Sequence, residues 1–105
     1  MKILFDQGTP VPLRTALVGH AVETAYEREW STLSNGALLT AAEDASFDVL
    51  ITTDQNLQDQ QTLAGRRLAV LVLPTTDWRE IREHTSDVGA AVASIHPGQL
   101  KTVVW

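Results

Sequence analysis

The sequence predicts an α/β fold: one three-layer α/β/α domain, residues 1–105, with helices on both faces of a mostly parallel central sheet. Three observations carry the prediction. Short apolar runs alternate along the chain with segments of helical spacing, the order that parallel sheets require. The run LAVLVL (68–73) is apolar at every position, as a parallel strand covered on both faces reads. Two further strand-like runs, 2–5 and 48–53, are each followed by an aspartate, Asp6 and Asp54. Open α/β sheets hold their ligands beyond the carboxyl ends of strands.

Composition bounds the function classes. The chain has 105 residues, 44% hydrophobic and 20% charged, enough for a real core and unlike a disordered segment. It has no cysteine, which excludes a disulfide framework, a thiolate metal site and sulfur nucleophiles. The amino-terminal apolar run is too short for a signal peptide or a membrane span, so the expected address is the cytoplasm and no membrane partner is expected. The net charge of −5 opposes unaided nucleic-acid binding, because sequence-independent affinity comes from neutralising phosphates with Lys and Arg. Arg66-Arg67 and the pair Arg79 and Arg82 are read as solvated surface charges before phosphate contacts.

In order along the chain, residues 2–5 form the first strand. Thr9 is placed as an N-cap with Pro10 at the first helical position, opening a helix through Leu13 and Leu17 to Gly19. Residues 20–24 are extended with Val22 inward. Residues 25–33 (AYEREWSTL) fit either one helical turn joining Tyr26 and Trp30 or a loop with two aromatic anchors. Ser34 and Asn35 cap a long helix that buries Leu38, Leu39, Ala41 and Ala42 and closes at Phe47. Residues 48–53 are the central strand, 57–63 a short helix ending near Gly65, and 68–73 the next strand, stopped by Pro74. Asp77 and Glu80 make a capping-box-like start for a last helix carrying Trp78, Ile81, Thr85, Val88, Val92 and Ile95 on one face. Pro97-Gly98 ends it, and 101–105 supply a terminal strand.

This layout sorts the polar residues. Asp6 and Asp54 sit at the carboxyl edge of the sheet, and Asn35, at the amino end of its helix, sits there too. Glu43 and Asp44 lie roughly 12 Å further along that helix at 1.5 Å per residue and are poor ligand candidates. Asp77 is read as a cap. Oxygen ligands gathered at one edge suit a hard divalent cation such as Mg²⁺, which activates water in phosphoryl displacement. The competing structural reading is that Asp54 caps a following helix and Asp6 satisfies turn amides. His20, His84 and His96 lack metal-ligand spacing, and no GxSxG elbow or Gly-rich phosphate loop occurs. Trp30 is the aromatic best placed to stack on a base, since Trp78 lies on a core face.

The stretches ILFDQGTPVPL and WSTLSNGALLTAAEDASFDVLITTDQNL, with TTDQN after a strand as the most specific part, resemble the small PIN-like domains related to VapC-type toxins. The resemblance covers much of the first two thirds of the chain. It implies a metal-dependent ribonuclease, a hydrolase of single-stranded RNA, as the toxin of a toxin–antitoxin pair with a protein antitoxin. Asp6 and Asp54 would be catalytic, and Asp6, Asp54 and Asn35 would hold Mg²⁺ or Mn²⁺. Gln7, Asn56 and Thr53 would contact the substrate. Many relatives carry acids where this chain has Gln7, Asn35 and Asn56, so the implied site is weakened, and a non-catalytic PIN-like interaction module is the alternative. A receiver-like phosphoacceptor domain is a third reading: Asp6, Asp54 and Thr75 or Thr76 fit it, whereas Lys101 precedes the last strand and a final helix is missing. The terminal strand with Trp105 predicts edge pairing in a homodimer.

Overall fold

The computed structural model describes residues 1–57 and 65–105. Its framework is five strands: β1 (Lys2–Phe5), β2 (Ala21–Thr24), β3 (Val49–Thr52), β4 (Ala69–Val72) and β5 (Leu100–Thr102). All are parallel, in the order β2-β1-β3-β4-β5. β3 and β4 are buried at every position, which is why VLIT and AVLV carry no charge: an unpaired buried ion would cost several kcal/mol (of order). The register runs Ile3 to Val49 and Phe5 to Ile51 on one side of β1, and Phe5 to Thr24 on the other. The chain passes from β1 out to β2 and returns across β1 to β3, so the connections that follow β1 and β3 depart in opposite directions.

Alternation along the strands divides the core between two clusters. Ile3, Phe5, Val49, Ile51 and Leu71 belong to one, with Leu13, Leu17, Ile81, Val88 and Val92. Leu4, Leu50, Val70 and Val72 belong to the other, with Leu38, Leu39, Ala42 and Phe47. Three α-helices are described: α1 (Asn35–Asp44), α2 (Trp78–Ile81) and α3 (Thr85–Ser94). The first cluster takes the apolar stripes of α2 and α3, and the second takes that of α1.

Helix α1 starts as expected, with the Ser34 hydroxyl accepting from the Ala37 amide at 3.4 Å. Its carboxyl end is a Schellman motif: the Phe47 amide donates to the Ala42 carbonyl (2.9 Å) and the Ser46 amide to Glu43 (3.0 Å). Ser46 is left-handed at φ 66°, a conformation usually given to glycine. Glu43, distant from the site edge, accepts from the Arg67 amide at 3.0 Å and the Arg66 guanidinium at 3.3 Å. Those two contacts hold its carboxyl below the ordinary range, the Arg67 amide having the larger effect, and buckle α1 to the approach of β4.

Four expectations change. The first helix is a 3-10 segment, Val11–Ala16, with Pro10 as its cap residue and no side-chain cap bond. Thr9 is occupied elsewhere, and prolines at 10 and 12 disfavour helical backbone at the residues preceding them. The last helix is broken: α2 passes into a 3-10 turn, Arg82–His84, and His84 leaves helical backbone at φ −128°, ψ 24° before α3 begins. At that break the His84 ring stacks on Trp105, 4.5 Å between centroids and 4° from parallel. No capping box forms at Asp77, whose carboxylate accepts from the Arg79 amide (2.9 Å), because Glu80 instead accepts from the Trp105 indole (3.0 Å). The terminal strand begins at Leu100 and ends at Thr102. Residues 25–29 and 31–32 form turns, with no helix across the stretch. The helix expected at 57–63 lies, beyond the buried Leu57, outside the described residues.

Replacing Ser46 by Gly should relieve the left-handed strain and raise stability by about 0.5–1 kcal/mol, after allowing for the extra freedom of glycine in the unfolded chain. Urea unfolding should then show a higher midpoint with an unchanged slope. A lower midpoint would mean that the serine side chain contributes more than its backbone conformation costs.

Candidate functional site

Because the connections after β1 and β3 depart in opposite directions, a crevice is expected between the carboxyl ends of these two strands, and the two aspartates stand on either side of it. Asp6 is the first residue after β1, and its amide still donates to the Ile51 carbonyl of β3 at 3.1 Å. Asp54 is the second residue after β3. Burial of both strands pushes ionised groups to these ends, and the turns that follow hold them in place.

The Asp6 carboxylate accepts at three points. Oδ1 takes the Thr9 amide (3.1 Å) and the Thr9 hydroxyl (2.7 Å), and Oδ2 takes the Thr52 hydroxyl. The Thr9 hydroxyl also lies 2.9 Å from the Ile51 carbonyl, so its one proton is shared. The turn-capping role weighed for Asp6 is therefore real. A carboxylate has about four lone-pair positions, which leaves Asp6 roughly one for a further ligand.

Asp54 is held at both oxygens: Oδ1 accepts from the Asn56 amide at 2.9 Å and Oδ2 from Asn35 Nδ2 at 3.0 Å. The first contact is an Asx turn. Asn35 is the first residue of α1, so the positive end of that helix lies beside the carboxylate. Counting the described residues, two acceptor positions remain on Asp54, one on each oxygen. The residue joining the two acids is Thr52, whose hydroxyl donates to Asp6 while accepting from the Asp54 amide at 3.1 Å.

Of the residues nominated from sequence, Asp6, Asp54 and Asn35 thus converge on one edge, and Asn56 enters through its backbone. Gln7 is exposed. Thr53 packs against Gly8, where an added Cβ would collide with the Thr53 hydroxyl, and its carbonyl accepts from the Gln55 amide group at 3.1 Å. Thr52 was not nominated. Its signal was present in the pattern, since a hydroxyl at the last position of a fully buried strand must find a partner. Among the described residues the buried polar side chains are Thr9, Thr24 and Thr52, and all three lie at this edge.

Two cavities meet at Asp6 and Gln7. One of about 140 Å³ is lined by Gly8, Trp30, Ser31, Asn35 and Leu38 as well. The other, about 360 Å³, continues to Val11, Arg14, Tyr26 and Glu27. Trp30 is half-buried and meets Phe47 edge-on, with centroids 6.2 Å apart. It is a wall of the smaller cavity more than a free stacking platform.

The surrounding electrostatics are acidic. Each of the six arginines has a carboxylate oxygen within 4.0 Å, with Arg66 and Arg67 sharing Glu43. Lys101 donates to Ser94 at 3.1 Å. Among the described residues no group of three or more His, Asp or Glu side chains gathers as a metal cluster. No family model matches the chain, and no curated protein or solved structure matches it.

Thr52→Val should cost about 1–2 kcal/mol in urea unfolding, the value of a hydrogen bond whose carboxylate and amide partners lose it together. Thr53→Val, which removes the neighbouring hydroxyl, should cost less. Equal effects would remove Thr52 from its bridging role.

Proposed function

We propose that the chain is a three-layer, PIN-like domain that binds one Mg²⁺ or Mn²⁺ at Asp6 and Asp54 and cleaves single-stranded RNA slowly. The observation that carries this reading is the linked placement of the two acids at the carboxyl ends of adjacent parallel strands, where the strand order reverses. Ligands of open α/β sheets bind at such switch points.

The donor set fits a hard, largely hydrated cation. Asp54 offers one open acceptor position on each oxygen and Asp6 about one, so two monodentate carboxylates and several waters would complete the shell, with the Asn35 carbonyl oxygen as a neutral addition. When bound, the ion would supply charge neutralisation at the scissile phosphate and a more acidic water. The chain's own contribution is orientation. Asn35 Nδ2 and the Asn56 amide fix the plane of the Asp54 carboxylate, and Thr52 fixes Asp6 relative to it. Asp54 could then accept a proton from a water held beside the phosphate. A protein antitoxin and a second copy of the chain are the proposed partners, the latter through the β5 edge. Trp105 does not take part in such pairing here, since its ring is stacked within its own chain.

One observation favours the second reading, a PIN-like interaction module without turnover: Asp6 already accepts three protein donors. The receiver-like reading loses support, because Lys101 sits within β5 opposite Leu71 and is engaged with Ser94.

Metal binding is tested by thermal unfolding. Mn²⁺ at a hundred times its Kd should stabilise the protein by about 2.7 kcal/mol, and Asp54→Asn should remove the rise in melting temperature. Mn²⁺ should act at lower concentration than Mg²⁺, which sheds its water reluctantly. An unchanged melting temperature in both ions would sink the metal site.

Catalysis is tested with a labelled single-stranded RNA. Wild-type cleavage should be slow and faster in Mn²⁺ than in Mg²⁺, absent in Asp6→Asn, and faster in the double variant Asn35→Asp/Asn56→Asp. If the double variant binds Mn²⁺ more tightly and still never cleaves, the nuclease reading gives way to the interaction module.

A further inference from the structure

We infer that the larger cavity beside Asp6 is a binding pocket for a nucleobase, stacked on Tyr26 and held at its edge by the Gln7 side-chain amide. The cavity, about 360 Å³, falls in the size range of small-molecule sites. Its walls are mostly apolar, from Val11, Tyr26 and the stems of its polar residues. Tyr26 is the chain's one tyrosine and is 80% exposed, and Val11 is 54% exposed. Large apolar side chains left in water at the rim of a cavity call for an explanation, whereas a scattered single one does not.

Charge narrows the ligand class. Arg14 and Glu27 neutralise one another through two contacts, 2.7 and 3.3 Å, and the guanidinium, with the Thr24 amide behind it, holds the Glu27 carboxyl below its ordinary range. The remaining charge on the lining is the Asp6 carboxylate, which disfavours an anion. An uncharged planar ring fits this lining better than a phosphate does. The hydrogen-bonding groups left for it are the Gln7 amide and the Tyr26 hydroxyl, neither of which has a partner among the described residues. A side-chain amide offers a donor and an acceptor side by side, the pattern that pairs with the edge of a base. Every base also presents a π-face to an aromatic ring.

The pocket and the acidic edge share Asp6 and Gln7, so a base seated here would bring its own sugar and phosphate toward Asp6. That clause rests on the ribonuclease reading; base binding itself does not. The test is therefore run first without metal, by calorimetric titration of adenosine into the intact chain in EDTA. Wild type should bind saturably. Tyr26→Ala should weaken binding about fivefold to a hundredfold, the range of a lost base stack, with an unchanged melting temperature because the ring is exposed. Tyr26→Phe, which keeps the ring and loses only the hydroxyl, should bind more tightly than Tyr26→Ala and no better than wild type. Gln7→Ala should weaken binding severalfold. Absence of wild-type binding up to the solubility limit of adenosine overturns the proposal, as does a Tyr26→Ala variant that binds unchanged. A second arm separates the two readings: adenosine binding in a protein that never cleaves RNA supports the pocket and overturns the nuclease, and Mn²⁺-dependent cleavage without adenosine binding does the reverse.

Discussion

A strand buried on both faces and paired on both edges has nowhere along its length to keep a charge. β3 is such a strand and β1 nearly so, with Lys2 alone part-exposed at its start. The ionised groups of this part of the chain are therefore displaced to the strand ends, where backbone amides and side-chain donors are still unspoken for. Parallel pairing then does the rest: it brings two carboxyl ends to the same edge, and the crossover from β2 to β3 opens the crevice between them. The acidic pair follows from the burial of LFD and LITTD as much as from any chemistry it performs.

Threonine hydroxyls tie that edge together. Thr9, Thr24 and Thr52 are small enough to be buried and carry one hydroxyl each, and each hydroxyl ties a loop to a neighbouring turn or strand end. The same bonds that position Asp6 also consume its acceptor capacity, so preorganisation and ligand affinity draw on the same lone pairs. Asp54, held at one point on each oxygen, keeps more of its capacity. The two acids are consequently unequal, although their places after β1 and β3 look alike.

The strands and the edge were legible because local pattern determined them. LAVLVL and FDVLIT read as buried parallel strands since nothing in either stretch could remain in water, and Asp6 and Asp54 were placed by the same logic. What escaped was set by partners distant in sequence. Glu80 has the spacing of a capping box, yet it bonds to Trp105, 25 residues away. The last helix has an uninterrupted apolar stripe, and it breaks where His84 meets the same tryptophan. Thr9 looked like an N-cap, but Asp6 and Ile51 claim its hydroxyl. Thr52 was overlooked in favour of Thr53 because the two are adjacent and alike, and only the register with β1 decides which one turns inward.

The pairing of β1 with β3 joins residues 46 positions apart, as in the contact between Lys2 and Asp48. A chain emerging from the ribosome makes β1 before β3 and must carry it with one edge open until residue 52 has been synthesised and freed. β2 can occupy only the other edge in the meantime. Contacts of such long sequence separation are slow to form, because the intervening loop must close before any pairing rewards it. The apolar ILF segment thus spends the early life of the molecule as an unsatisfied template. Lys2 and Asp6, which bracket that segment, are the kind of flanking charge that opposes edge-to-edge association of an apolar strand.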